Sequence, residues 1–311
     1  MFGTARHGSV GVRNDSEGLM AKKNPLSHKI RDWLQDRALR VMIGGALLLP
    51  YSVRVRAGGW LFARVLAPIA GYSTRIRDNL NLIFPDLPVA EVTRLIDAVA
   101  NNTGRTVIEI YSGAQFVQRV TQTPLTGPGL AALEAAHKTK RPVILVTGHF
   151  GNYDASRAGL IARGFRVGAL YNPMGNRFFN SHYVRAISRI GTPLFPRGKR
   201  GLGEMVRFLR GGGMLGLLMD QRIHRAPLLP FLGQPARTAF SAADLALRYD
   251  ALLVPTYAIR RADGLSFDIV IEPPIPHSTP QEMTLALNAS LEAQVRHHPD
   301  QWFWIHRRWR P

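Results

Sequence analysis

Eight consecutive residues, Thr147-Gly148-His149-Phe150-Gly151-Asn152-Tyr153-Asp154, bring together an imidazole, a carboxylate and two glycines. An imidazole held through one nitrogen by a carboxylate keeps its other nitrogen free to take a proton from a hydroxyl. His149 and Asp154 are five positions apart, so on one continuous helix they would point roughly 140° away from each other. They meet only where His149 lies in a turn and Asp154 in the first turn of the following helix. Gly148 and Gly151 supply the backbone freedom for such a turn. The plainer alternative is a helix cap beside a packed histidine.

Other chemistries find little support. With no cysteine, thiolate nucleophiles, thiolate metal sites and disulfides are excluded. The sequence contains no HExxH, GxSxG or Walker A pattern, and Gly198-Lys199 is followed by Arg200. Gly127-Pro128-Gly129 matches a dinucleotide fingerprint only loosely and follows a poor strand. The histidines show no metal spacing, so no metal site is predicted.

The pair must be positioned by a strand and a helix, and the sequence provides both. PVILVT (142–147) reads as a buried strand, with a helix over 153–162. Further strands are predicted at 165–171, 192–195, 214–219, 252–259 and 265–271. Helices are predicted at 177–190, 202–210, 241–249 and 280–297, and 73–120 reads as helical up to and beyond the Phe84-Pro85 break. This alternation predicts an α/β fold, a largely parallel mixed sheet covered by helices. Asp220 falls at the end of the 214–219 strand, where α/β sheets place functional groups, or where a carboxylate simply caps a turn.

Ahead of this region, 1–40 reads as a polar, flexible tail. Apolar runs at 41–53 and 57–72 follow, the second interrupted by Arg64. Thirteen helical residues reach roughly 20 Å, short of a hydrocarbon core of roughly 30 Å. The runs are therefore expected to form an N-terminal helical membrane-attachment segment, with Tyr51, Trp60 and the flanking arginines at headgroup depth. A buried helical hairpin is the alternative. The formal charge is +19, and only six of the 40 basic residues are lysines. A guanidinium excess suits phosphate-rich partners, among which charge alone does not choose between lipid, nucleic acid and protein. No nucleic-acid-binding module is recognisable, and the apolar runs have no use in one.

HFGNYD (149–154) has the HX4D/E form of glycerolipid and lipid A acyltransferases. RIRDNLNLIFPDL (75–87), LLMDQRI (217–223), LPFLGQPARTAFSAADLAL (229–247), ALLVPTYAIRR (251–261) and HPDQWFWIHRRWRP (298–311) resemble, in order, further stretches of the bacterial lipid A biosynthesis (lauroyl/myristoyl) acyltransferase family. The resemblance runs from about residue 70 to the end, making 73–311 the catalytic domain. Asp154 stands where the lipid A branch usually carries Glu, and Tyr153 where Trp is common.

The resemblance implies acyl transfer, without metal or other cofactor, from an acyl carrier protein thioester (or acyl-CoA) to a hydroxyl of a phosphorylated lipid. His149 would be the base and Asp154 the group that orients it, with Arg185 and Asp220 also at the active site. Asn152, Gln221, Arg307 and Arg308 are expected to bind substrate. Independently of the resemblance, Trp302, Trp304 and Trp309, interleaved with basic residues, are expected to face lipid or an anion, a solvated basic tail being the alternative. The implied location is the inner membrane, peripheral or with one N-terminal anchor, with the catalytic domain on the cytoplasmic side and bound to an anionic membrane surface. A lysophospholipid acyltransferase, or a basic nucleic-acid- or membrane-binding protein without catalysis, are the competing readings. On the Asp154 assignment, Asp154→Asn should slow the reaction with little change in melting temperature.

Overall fold

The computed structural model describes residues 26–310. The first part is helical: α1 (Leu26–Leu47), α2 (Tyr51–Leu61) running through a π-helical turn (Phe62–Leu66) into the short α3 (Ala67–Ile69), α4 (Tyr72–Ile83), α5 (Val89–Ser112) and α6 (Ala114–Thr121). Strands and helices then alternate through β1 (Leu125–Thr126), α7 (Leu130–Thr139), β2 (Val143–Thr147), α8 (Tyr153–Ile161), β3 (Val167–Tyr171), α9 (Arg177–Ile190), β4 (Leu194–Pro196), α10 (Lys199–Arg210) and β5 (Met214–Leu218). A hairpin of β6 (Leu228–Phe231) and β7 (Gln234–Arg237) precedes α11 (Ser241–Arg248), β8 (Leu252–Arg260), β9 (Phe267–Ile271) and α12 (Pro280–His297).

The main sheet has the order β1-β9-β8-β2-β5-β3-β4. Strands β8, β2, β5, β3 and β4 run parallel, while β9 returns antiparallel to β8. This is the predicted mixed, largely parallel sheet. The reason is visible in β2, whose successive side chains point to opposite faces. Val143 and Leu145 pack on one face with residues of α5, α6, α8 and α9. Ile144 and Val146 pack on the other with residues of α10, α11 and α12. A strand covered on both faces needs apolar residues at every position, hence the unbroken VILV run. A third cluster, built on Ile76, Leu80, Leu95, Phe231, Trp302 and Trp304, fills the end of the sheet where the C-terminal segment folds back.

The N-terminal expectations need correction. Helix α1 begins at Leu26, so 26–40 is helical rather than a tail, and 1–25 lies outside the described residues. The first apolar run, 41–53, is broken at Pro50, the N-cap of α2, and its last residues continue in one helix with the start of the second run. Helix α2 packs backbone to backbone on α5: a Cβ on Gly104 would lie 2.4 Å from the Gly58 carbonyl oxygen. Val55 and Ala67 are fully buried, so the 41–72 segment is partly core. Tyr51 is buried, and Arg54 is buried with bonds to Ser112 Oγ and to the Leu47 and Leu49 carbonyls, so neither sits at headgroup depth. Trp60, by contrast, is exposed. No helix among the described residues is long and apolar enough to cross a membrane.

The hairpin and α7 have no counterpart in the sequence reading. The β6–β7 turn has Leu232 and Gly233 both at positive φ, +52° and +80°. A leucine in that conformation hides the turn from any search for Asn-Gly or Asp-Gly.

Candidate active site

Strands β2 and β5 are adjacent and parallel, with Thr147 level with Leu218. Two residues beyond each lie His149 and Asp220, so the register alone brings them together at the carboxyl ends of the strands, where open α/β sheets place their ligands. His149 Nδ1 lies 2.7 Å from Asp220 Oδ1, and the His149 backbone N–H donates to Oδ2 at 2.7 Å. Trp302 Nε1 donates to the same Oδ2 at 2.9 Å. Burial pushes the Asp220 carboxyl up. The neighbouring His149 charge, its two hydrogen bonds and the His306 charge more than reverse this and hold it well below the usual carboxylate range. The carboxylate therefore stays ionised. With Nδ1 taken, His149 Nε2 faces Gln221, whose Nε2 lies 3.5 Å away. The exposed Gln221 is thus on the open side of the imidazole.

Asp154 is not the partner of His149. Its carboxylate accepts from the buried Arg157 at 2.7–2.8 Å, and Arg157 also donates to the Gly191 and Ile187 carbonyls. The pair ties α8 to the end of α9. His149 turns instead toward Asp220, because the loop after β2 is pinned by Gly151 N–H to the Gln301 carbonyl and Asn152 N–H to the Ala258 carbonyl. Gly151 has φ +53°, and a Cβ there would lie 1.9 Å from the Ala258 oxygen. Removing the charge from Asp154 leaves the buried Arg157 guanidinium without its counter-charge, a loss of about 3–5 kcal/mol. Asp154→Asn is accordingly expected to lower Tm by on the order of 10 °C, with kcat of the folded protein within about tenfold of wild type. Thermal melts beside turnover measurements check this; a large loss of kcat at unchanged Tm would restore Asp154 to the reaction.

Two expected substrate-binding residues are buried instead. Asn152 is 0% exposed: its side-chain oxygen caps α8 at Asp154 N–H and its Nδ2 donates to Glu109 at 2.8 Å. Arg308 is 1% exposed and donates to the Arg237 carbonyl and Thr238 Oγ1, clamping the hairpin. Arg307 is exposed. Arg185 is exposed on α9 with its Nε on the Ser181 carbonyl, and none of its hydrogen bonds reaches His149 or Asp220. Trp302 and Trp304 are buried among Phe231 and Trp309, so these rings form core rather than a lipid-facing surface.

Several supporting residues are not among the expected catalytic or substrate-binding ones. Glu109, fully buried on α5, pairs through both oxygens with Arg260 of β8, and Arg260 also donates to Asn102 and Thr106. Asn102 and Thr106 in turn hold the Gly151 carbonyl. Trp302 and His306 come from the C-terminal segment, whose Phe303 N–H donates to the His149 carbonyl. The 298–311 stretch carries part of the family resemblance, but nothing in it singles out His306. His149, Asp220 and His306 each offer a ligand-type atom within 4.8 Å of the others, the one such trio among the described residues. Its Asp220 oxygens already accept three hydrogen bonds, which suits a proton-transfer dyad.

Over residues 20–311 the chain matches the protein family described as bacterial lipid A biosynthesis acyltransferase. It is 23% identical over 83% of its length to a lipid A biosynthesis acyltransferase of Haemophilus influenzae, covering 81% of that protein. It is 24% identical to the lipid A biosynthesis lauroyltransferase of Escherichia coli, over 84% of this chain and 87% of that one. The lipid A biosynthesis palmitoleoyltransferase of Escherichia coli is 22% identical, over 90% and 94% respectively.

Proposed function

Because the chain belongs to the family of bacterial lipid A biosynthesis acyltransferases, and so is an acyltransferase, we propose that it moves a fatty acyl chain from an acyl carrier protein thioester to a hydroxyl of a phosphorylated lipid A precursor, with acyl-CoA as the alternative donor. The observation that carries the mechanism is the His149–Asp220 pair at the ends of β2 and β5. His149 Nε2 takes the acceptor hydroxyl proton while the oxygen attacks the thioester carbon. Asp220 fixes the tautomer that leaves Nε2 unprotonated and offsets the charge of the imidazolium. Collapse of the tetrahedral intermediate breaks the C–S bond, and the proton passes from His149 to the departing sulfur. No metal takes part, so EDTA leaves turnover unchanged.

Mass spectrometry of lipid A and phospholipids from cells with and without the gene tests the acceptor. A lipid A species heavier by one acyl chain is expected only where the gene is present. A change confined to phospholipids would assign the acceptor to a glycerol hydroxyl.

The site of action in this reading is the cytoplasmic face of the inner membrane. Helix α1 exposes Leu26, Ile30, Trp33, Leu34 and Val41, with Leu48 and Leu49 beyond its end. On a helix the first five fall within about 100° of arc, one apolar stripe suited to the lipid interface. Basic residues near an anionic surface add about 1 kcal/mol each at low salt. The full-length protein should therefore sediment with phosphatidylglycerol-containing vesicles and be only partly released by high salt. Ile30→Glu with Trp33→Glu should make salt release nearly complete. Complete release of the wild type by salt alone would leave only electrostatic attachment. Since Val55 and Ala67 are core, point substitutions test this where deletion of 1–72 would unfold the protein.

A further inference from the structure

We propose that His306 is a second catalytic imidazole, donating a hydrogen bond to the thioester carbonyl oxygen as that oxygen becomes an oxyanion; the proposal rests on the acyl-transfer reading above. The His306 ring stands nearly perpendicular to that of His149, with centroids 4.7 Å apart and an interplanar angle of 78°. Phe303 also packs on the His306 ring, at 4.6 Å, and lies 5.9 Å from that of His149. The backbone around His306 is tied down on both sides. Its N–H donates to the Phe303 carbonyl, and its carbonyl accepts from Asn79 Nδ2 at 2.9 Å. Asn79 also holds the Trp304 carbonyl and Arg75 the Ile305 carbonyl. So much anchoring fixes the backbone that carries this imidazole beside the reacting one, and a preorganised oxyanion donor needs such a support.

The side chain itself is left incomplete. His306 Nε2 is shut off from solvent and has no hydrogen-bond partner in the protein, although His149 and Asp220 each have a ligand-type atom within 4.8 Å of one of its ring nitrogens. Buried polar atoms are normally paired, and one without a partner costs about 1–3 kcal/mol. A packing role would not need an imidazole at this point. A carbonyl oxygen arriving next to His149 Nε2 would supply the partner after a small rotation about χ2, a torsion with a broad well.

Charge favours donation over proton transfer. Burial, the His149 charge, Arg308 and Arg75 all push the His306 imidazole down, against the pull of Asp220, to about 4. Near neutral pH it is a neutral donor, which can hold an oxyanion without competing with His149 for the proton. The balanced step is simple. The hydroxyl oxygen bonds to the carbonyl carbon, its proton goes to His149, and the carbonyl π pair moves onto oxygen facing His306 N–H. The pair then returns, the C–S bond breaks, and the sulfur takes the proton from His149.

The test uses full-length protein in phosphatidylethanolamine/phosphatidylglycerol vesicles, with a lipid A precursor and acyl carrier protein or CoA thioesters. His306→Phe keeps the ring shape and is expected to lose about 10²- to 10³-fold in kcat, with KM within about threefold of wild type. His306→Gln, which returns an N–H near the position of Nε2, should recover about tenfold over His306→Phe. If His306→Phe melts far below wild type, the ratio of His306→Gln to His306→Met decides in its place. Wild-type kcat in His306→Phe, a loss confined to KM, or equal losses in the Gln and apolar variants would overturn the role of His306. So would chelator-induced inactivation reversed by zinc, which would make the trio a metal site. A wild type inactive on the precursor with both donors would instead overturn the reading on which the proposal rests.

Discussion

His149→Ala is expected to fold, bind vesicles as the wild type does, and lose on the order of 10²–10⁴ in kcat, the usual worth of a positioned general base. His149 is part-exposed at the end of β2, so its truncation opens little core. The Asp220 carboxylate keeps Trp302 as a partner. Single-turnover acyl transfer measured beside a thermal melt separates the two effects. Near-wild-type turnover would remove His149 from the chemistry.

Asp220→Asn should be nearly as damaging, with kcat falling about 10³- to 10⁴-fold. The reason is a mismatch of donors. Asp220 accepts from three N–H groups: the His149 backbone, His149 Nδ1 and Trp302 Nε1. An asparagine offers one oxygen and an NH₂, so at least one N–H meets another N–H. If the NH₂ faces Nδ1, the imidazole must carry its hydrogen on Nε2 and can no longer act as a base. Unlike His149→Ala, this substitution is also expected to lower Tm. Because Asp220 is held below the usual carboxylate range, its stabilising contribution is complete above about pH 4 and fades as pH falls below that. The Tm gap between wild type and Asp220→Asn should therefore narrow in strong acid. The double variant should be little worse than either single one, since the pair acts as a unit. Fully additive losses would mean that the two residues work independently.

Much of the architecture was legible in the order of residues. Helix α9 lies at the predicted 177–190, and α12 at 280–297, where Thr279 and Glu282 form a capping box. Strands β2, β3, β5, β8 and β9 were each marked by a short apolar run. These are local signals: a buried strand or a capped helix depends on residues within a few positions of one another. The His149 turn was equally local, since it follows from a strand and two glycines next to one another, although Asn152, expected to bind substrate, proves to be the helix cap. The N-terminal helices misled for a related reason. Apolar composition cannot tell a face buried against α5 from one turned outward, and α1 and α2 do both.

What the sequence by itself determined is the alternating α/β sheet, the placing of His149 and Asp220 at strand ends, and an HX4D pattern specific enough to indicate the family. Only the tertiary structure decided which carboxylate serves the imidazole. HX4D suggests Asp154 because it is near in sequence, but α8 turns that side chain inward to Arg157. The pairing of β2 with β5 carries Asp220 across 71 residues to His149. The same holds for Trp302 and His306, which reach the site only because the C-terminal segment folds back over the sheet. Parallel strand neighbours are joined through long crossovers, so their register is a property of the packed sheet and leaves no spacing to read along the chain.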